Sequence, residues 1–234
     1  MANVDPHFKY LTFLSMLYVT ILQISVLLDY KFISIGPMLA SSATFVISIT
    51  FFLSDVIAEV YGYQRAKQVI WSGVICLLCF ATIGFLLEKL PTPLEYAKYG
   101  HAYRIILDLL FRASISNAIA IMIGAFFNIY FVSKWKILVK GKHFWLRSLG
   151  SSAIGEALYT IFVVSLVNIG IVSFPHLIEI LIVSYSFKLI FDTLAVAPAN
   201  LLVIFLKRTE GVDVYDFPQK FTPLKYLRSK VKES

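Results

Sequence analysis

Six runs of apolar residues, each set off from the next by a short polar stretch, make up most of this chain: about 10–28, 37–60, 69–87, 105–132, 146–172 and 176–206. Each is long enough to cross roughly 30 Å of hydrocarbon as a helix rising 1.5 Å per residue. A transmembrane barrel would need short segments of alternating polarity between turns, and these runs are continuous instead. The pattern predicts an all-α membrane protein of six transmembrane helices, with 1–206 as one transmembrane domain and 207–234 as a basic polar tail. Pro91 and Pro93 stop the third run, because proline lacks the N–H that a helix interior needs. The sixth run is long for a perpendicular crossing and contains Pro198, where a kink is expected.

Composition strengthens this picture, with 59% hydrophobic residues and only 15% charged ones, against about 25% charge in a soluble domain. The formal charge of +7 does not point to nucleic acid, because most bases fall in loops and the tail. Lys9, then Arg65 and Lys67, then Lys134, Lys136, Lys140, Lys142 and Arg147, then seven bases of the tail, all fall on one side of the predicted helices. Only Lys31, Lys89, Lys98 and Arg104 fall on the other. The positive-inside rule therefore predicts that both termini are cytoplasmic. The opening MANVDPHFKY has no small-residue cleavage site after it, so it reads as part of the mature chain. Cys76 and Cys79 have no accompanying His or second Cys pair, so neither a metal site nor a cofactor is expected. The four histidines are scattered, three outside the runs and His176 at the very start of the sixth, which argues against an enzyme. Small residues four apart, Ser116, Ala120 and Gly124 in the fourth run and Ser148/Ser152 and Ser151/Gly155 in the fifth, predict close helix crossings. Spare small-residue faces leave room for a homodimer.

The candidate chemistry lies in charges inside the runs. FFLSDVIAEVYGYQRAK carries Asp55 and Glu59 four residues apart, on one helix face. Either they sit in the headgroup region or they face a polar interior, with Arg65 or Lys67 as expected partners. Glu156 falls well inside the fifth run, Lys188 and Asp192 near the middle of the sixth, and Arg112 in the fourth beside Asp108 at i and i+4. A charge at a helix centre costs about 2.5 to 3.5 kcal/mol in a bilayer even on a lenient scale. Two readings account for that cost: a closed ionic network, such as Lys188 with Asp192, or a cavity reached alternately from each side. A carboxylate among the small residues of GSSAIGEALYT can accept two N–H bonds from a planar ligand. With Lys188 or Arg112 donating to a carbonyl and aromatic rings stacking, the set suits a small planar nucleobase-like substrate.

DVIAEVYGYQRAK resembles the D-x-x-x-E-x-Y-G signature of the YhhQ-like, or VUT, family of queuosine-precursor transporters. The resemblance continues through FRAS, the Ser/Gly opening of the fifth run, and YSFKLI followed by Pro198 and KR. It implies a six-span protein of the cell inner membrane importing 7-deazaguanines such as preQ0, preQ1 or queuine, with Asp55, Glu59, Arg112 and Lys188 at the matched polar positions. Two Gly-Gln-x-x-Asp sites of the family are changed here, to Gly124–Asn128 and to Gly155-Glu156 with Tyr159 in the acid's place. Asn128 and Tyr159 thereby join the candidate site, and Glu156 is read as the displaced acid. The rival reading is a substrate-binding subunit of an ATP-driven importer. The chain has no G-x-x-x-x-G-K-[ST] of its own, so that role would require a partner ATPase.

Overall fold

A computed structural model of the chain describes residues 8–36, 38–168 and 170–215. Six helices run in chain order: α1 (Leu11–Leu27), α2 (Ala43–Tyr61), α3 (Tyr63–Glu88), α4 (Ala97–Leu138), α5 (Phe144–Asn168) and α6 (Phe174–Glu210). Between α1 and α2 lies a small antiparallel hairpin, β1 (Phe32–Ile35) and β2 (Met38–Ser41). α2 to α6 are long and apolar enough to cross a membrane, while α1 has 17 residues, roughly 26 Å. This is an all-α multi-pass membrane protein. Helices satisfy their own backbone polar groups, which lipid cannot do, and large apolar side chains such as Ile83 and Leu87 of α3 and Leu194 and Leu201 of α6 stay on the outside.

α2 is the central helix and packs against the other five. From Leu53 to Tyr61 it is buried on every side. It passes into α3 through the single residue Gly62, at φ +87°, a conformation that costs glycine nothing and other residues a clash. At the same end, the backbone N–H groups of Lys9 and Tyr10 donate to the Glu210 carboxylate at 3.0 and 2.8 Å. The start of α1 and the finish of α6 thus meet at one end of the bundle.

Three expectations change. The second run was expected to be helical from 37, but 38–41 form β2, and α2 begins only at Ala43. The hairpin stays in place because Glu179 of α6 accepts a bond from the Leu39 N–H at 2.9 Å, and the Ser41 hydroxyl donates to the Asp29 carbonyl. The polar stretch before the fourth run, expected as a loop, supplies a 3₁₀ turn and the first turns of α4. The 42 residues of α4 span roughly 63 Å, so its beginning must project beyond a bilayer. There Arg104 pairs with Glu88 at 2.8 Å, and Lys89 lies 3.6 Å from Asp108. α6 runs without interruption through Pro198 to Glu210. The tail expected from 207 begins within α6, and 211–215 pack back on the bundle; 216–234 lie outside the described residues.

The small-residue expectation fits at one crossing. A Cβ on Gly124 of α4 would lie 2.5 Å from the Gly155 carbonyl oxygen, and one on Gly155 would lie 2.7 Å from the Asn128 side chain. Gly124→Val therefore forces α4 and α5 apart and is expected to cost about 1–3 kcal/mol, read as a lower unfolding temperature in detergent. An unchanged transition would show that the crossing is looser than this geometry requires.

Candidate functional site

Polar residues recur at helical spacing, every four residues on α5 and α6 and at steps of four and seven on α2, on the inward faces of three helices. α2 presents Thr44, Ser48, Asp55 and Glu59, α5 presents Ser148, Ser152, Glu156 and Thr160, and α6 presents Ser184, Lys188 and Asp192; all are buried apart from the half-buried Ser148. One turn of helix separates successive members, or two turns between Ser48 and Asp55, so each stripe runs along the bundle axis. The stripes meet at cross-helix hydrogen bonds: Thr44 to Ser184 at 3.0 Å, and Lys188 Nζ to Thr160 Oγ1 at 2.7 Å.

Asp55 and Asn128 come together. Asn128 Nδ2 donates to Asp55 Oδ1 at 2.6 Å, while Ser148 and Ser152 both donate to Oδ2. The two serines read from the sequence as packing residues are thus hydrogen-bond donors to a buried carboxylate. Glu59, although on the same helix face, belongs to a different cluster. Its carboxylate takes Lys207 of α6 at 2.7 Å and Arg147 of α5 at 3.0 Å, with Lys136 of α4 at 3.9 Å. The expectation of Arg65 or Lys67 as its partners is corrected here. Glu59 meets the end of α4, the start of α5 and the end of α6, so bases read as cytoplasmic loop and tail charges fold back onto it.

Residues 211–215 close over this end of the bundle. The Val214 N–H donates to the Val60 carbonyl at 3.2 Å, and Asp213 pairs with Lys136 at 2.6 Å and Lys207 at 3.0 Å. Burial works against the Asp213 charge, but hydrogen bonds from the two lysines outweigh it and hold the carboxyl below the usual carboxylate range. The residues of the Asp-x-x-x-Glu-x-Tyr-Gly stretch divide this labour: Asp55 anchors α4 and α5, Glu59 the cations, and Tyr61 donates to Glu210 at 2.9 Å. Gly62 makes the turn.

Glu156 lies between the two ends. It is completely buried, and neither carboxylate oxygen has a hydrogen-bond partner. The Ser48 hydroxyl faces this carboxylate and acts on it, but stops short of full hydrogen-bond geometry. Lys188 acts on Glu156 electrostatically, and on Asp29 and Asp192. Its hydrogen bond, however, goes to Thr160, and its ammonium lies 4.4 Å from the centre of the Tyr159 ring. The Lys188–Asp192 pair expected in a closed network therefore gives way to Lys188–Thr160, and one oxygen of Asp192 is unpartnered. Tyr159 meets Phe51 edge-on at 5.6 Å, and its hydroxyl donates to Asn117. Asn117 in turn donates to Asp29. Arg112 is brought elsewhere: it is half-buried and reaches the Leu166 carbonyl near the hairpin end.

A cleft opens on each side of Glu156. One, toward the hairpin, is lined by Asp29, Thr44, Tyr159, Asn168, Ser184 and Lys188. The other, toward the Glu59 end, is lined by Phe52, Ser148, Ser152, Asp192 and Ala199. Their cavity volumes are about 30 and 10 Å³, room for water but not for a heterocycle, since ligand pockets run to roughly 300 Å³ or more. In this conformation Glu156 is closed off from both sides. Among the described residues, no group of His, Cys, Asp and Glu is placed to hold a metal ion.

The sequence reading missed Asp29, which follows the first run and looked like loop, and Asn117, Ser48 and Thr160, single polar residues within apolar runs. Polar spacing of four along each run was the signal available for Ser48 and Thr160. No local pattern marks Asp29, whose partners come from distant helices.

Residues 41–203 match the model of a family described as "Putative vitamin uptake transporter". Comparisons with curated proteins and with solved structures give no match.

Proposed function

Since the chain belongs to the vitamin uptake transporter family, we propose that it imports a 7-deazaguanine precursor of queuosine, such as preQ0, preQ1 or queuine, across a bacterial inner membrane. The observation that carries this reading is Glu156, a buried carboxylate with two unpartnered oxygens between two closed polar clefts. A buried charge without hydrogen bonds is costly, and a planar ligand with adjacent N–H groups would supply both missing bonds at once. Lys188 keeps two ammonium protons beyond the one given to Thr160, enough to serve a carbonyl on the same ring. Tyr159 and Phe51 offer aromatic surface beside it.

Alternating access follows from the two closures. Separation of the hairpin from α6, at the Glu179–Leu39 contact, opens the first cleft. Release of Glu59 from Lys207 and Arg147 opens the second. Both termini are assigned to the cytoplasm, so the Glu59 end faces inward and the hairpin faces the periplasm. In Lys140→Cys, with the exposed Cys76 and Cys79 replaced, an impermeant thiol reagent is expected to label only from the cytoplasmic side. Labelling from outside intact cells would reverse the assignment.

The purified chain, reconstituted alone in vesicles, is expected to take up a labelled 7-deazaguanine. Binding without uptake would favour the subunit of an ATP-driven importer, and absence of both would sink the nucleobase reading.

A further inference from the structure

The hairpin-side cleft holds more carboxyl groups than amines. Among the described residues between the hairpin and Asp55, four buried carboxyl groups, Asp29, Asp55, Glu156 and Asp192, act on one another and on one amine, Lys188. Asp55 is held by three neutral donors, and Glu156 is accounted for by the N–H edge of the base. Asp29 is left. One of its oxygens accepts from Asn117, and the other accepts no hydrogen bond from the described residues while the side chain lines the cleft. Lys188 acts on Asp29 electrostatically but makes no hydrogen bond or close ion pair with it, its one side-chain bond going to Thr160.

A second group points the same way. Asn168 lines the same cleft, is only 4% exposed, and donates through Nδ2 to Val164. That bond fixes which end of the amide is oxygen, and Oδ1 is unpartnered. Tyr30, the residue after Asp29, donates through its hydroxyl to the Val167 carbonyl at 3.2 Å, which brings the chain at Asp29 against the end of α5. The hairpin side of the cleft therefore shows free acceptors, one of them charged, to whatever enters. A primary ammonium, with three N–H donors and a positive charge, is the complementary group.

Along the bundle, Asp29 lies on the hairpin side of Glu156. It is joined through Asn117 to Tyr159, one turn along α5 from Glu156. Asn168 is 12 positions further along α5 than Glu156, roughly 18 Å, too far for one small base to touch both. It serves as an acceptor on the way in. Resting on the reading of Glu156 as receptor for the ring's N–H edge, we infer that Asp29 receives an ammonium substituent at the opposite end of the ring. The substrate is then an amine-bearing 7-deazaguanine and not its neutral nitrile counterpart.

The test measures binding of 7-aminomethyl-7-deazaguanine, 7-cyano-7-deazaguanine and guanine to the purified full chain by calorimetry. The aminomethyl compound is expected to bind at least about ten-fold tighter than the nitrile, as a charge-assisted hydrogen bond allows. Asp29→Asn should abolish that preference, the amine losing more affinity than the nitrile, and Asp29→Glu, which keeps the carboxylate, should keep part of it. Equal binding of amine and nitrile by the parent chain would overturn the inference and leave the nucleobase reading standing. So would a loss in Asp29→Asn that falls equally on both compounds. Binding of none of the three would sink the nucleobase reading itself. If Asp29→Asn does not fold, the parent's ratio of amine to nitrile affinity still decides.

Discussion

Glu156→Gln is expected to lose roughly 10- to 150-fold in affinity for a guanine-like base, the equivalent of about 1.5–3 kcal/mol for one charge-assisted hydrogen bond. Glutamine keeps the shape of the side chain but turns one acceptor into a donor, which then faces the donors of the ligand. The same change should leave stability unchanged or raise it, because the carboxylate it replaces is buried with neither oxygen hydrogen-bonded. Loss of binding without loss of stability marks a group held for a ligand, whereas a residue of a structural network shows the reverse. Calorimetry and thermal unfolding on the same preparation read both. Parent-like affinity in Glu156→Gln would remove Glu156 from the site. Tyr159→Asp, which would restore an acid at the position the resemblance points to, is not expected to rescue it. Tyr159 is buried, bonds to Asn117 and lies under Lys188, so replacing it empties the wall of the cleft.

Glu59→Gln should have the opposite signature and the larger effect on stability. Glu59 and Arg147 are 0% and 3% exposed, and Lys136 and Lys207 close on the same carboxylate. Removing the negative charge leaves buried cations facing one another, and breaking a buried pair in this way costs about 3–5 kcal/mol. Arg147→Ala should cost a similar amount, because it leaves Glu59 underpaired and exposes the bonds Arg147 makes to the Val132 and Lys142 carbonyls. The two changes together should cost less than their sum, since each removes what the other leaves unpaired. Folded yield and unfolding temperature in detergent check this. An unshifted transition in Glu59→Gln would mean the cluster contributes nothing to closure of that end.

Helix number, approximate span positions and the membrane setting were legible in the chain because they depend on local quantities. Twenty apolar residues in a row can do little else in lipid than form a helix, and bases in the breaks fall at one end whatever the helices pack against. That Asp55, Glu59, Glu156, Lys188 and Asp192 are candidates to turn inward was legible too, and all five are buried, since a charge within an apolar run needs a partner or a use. Which partner it finds is a matter of rotation and depth between helices far apart in sequence, and no spacing within one run records it. The sequence therefore paired Glu59 with nearby Arg65 and Lys67, while packing paired it with Arg147 and Lys207, 88 and 148 residues away. It expected helix at 38–41, where a contact from Glu179, 140 residues on, supports a strand instead. Lys188 was read against Asp192 one turn away, yet the packing of α5 on α6 presents Thr160 to it. Above all, the chain could show that Glu156 is an acid in an apolar run. Only the packed bundle could leave it without a hydrogen bond, because that depends on where Lys188 turns, to Thr160, and on the Ser48 hydroxyl stopping short of it.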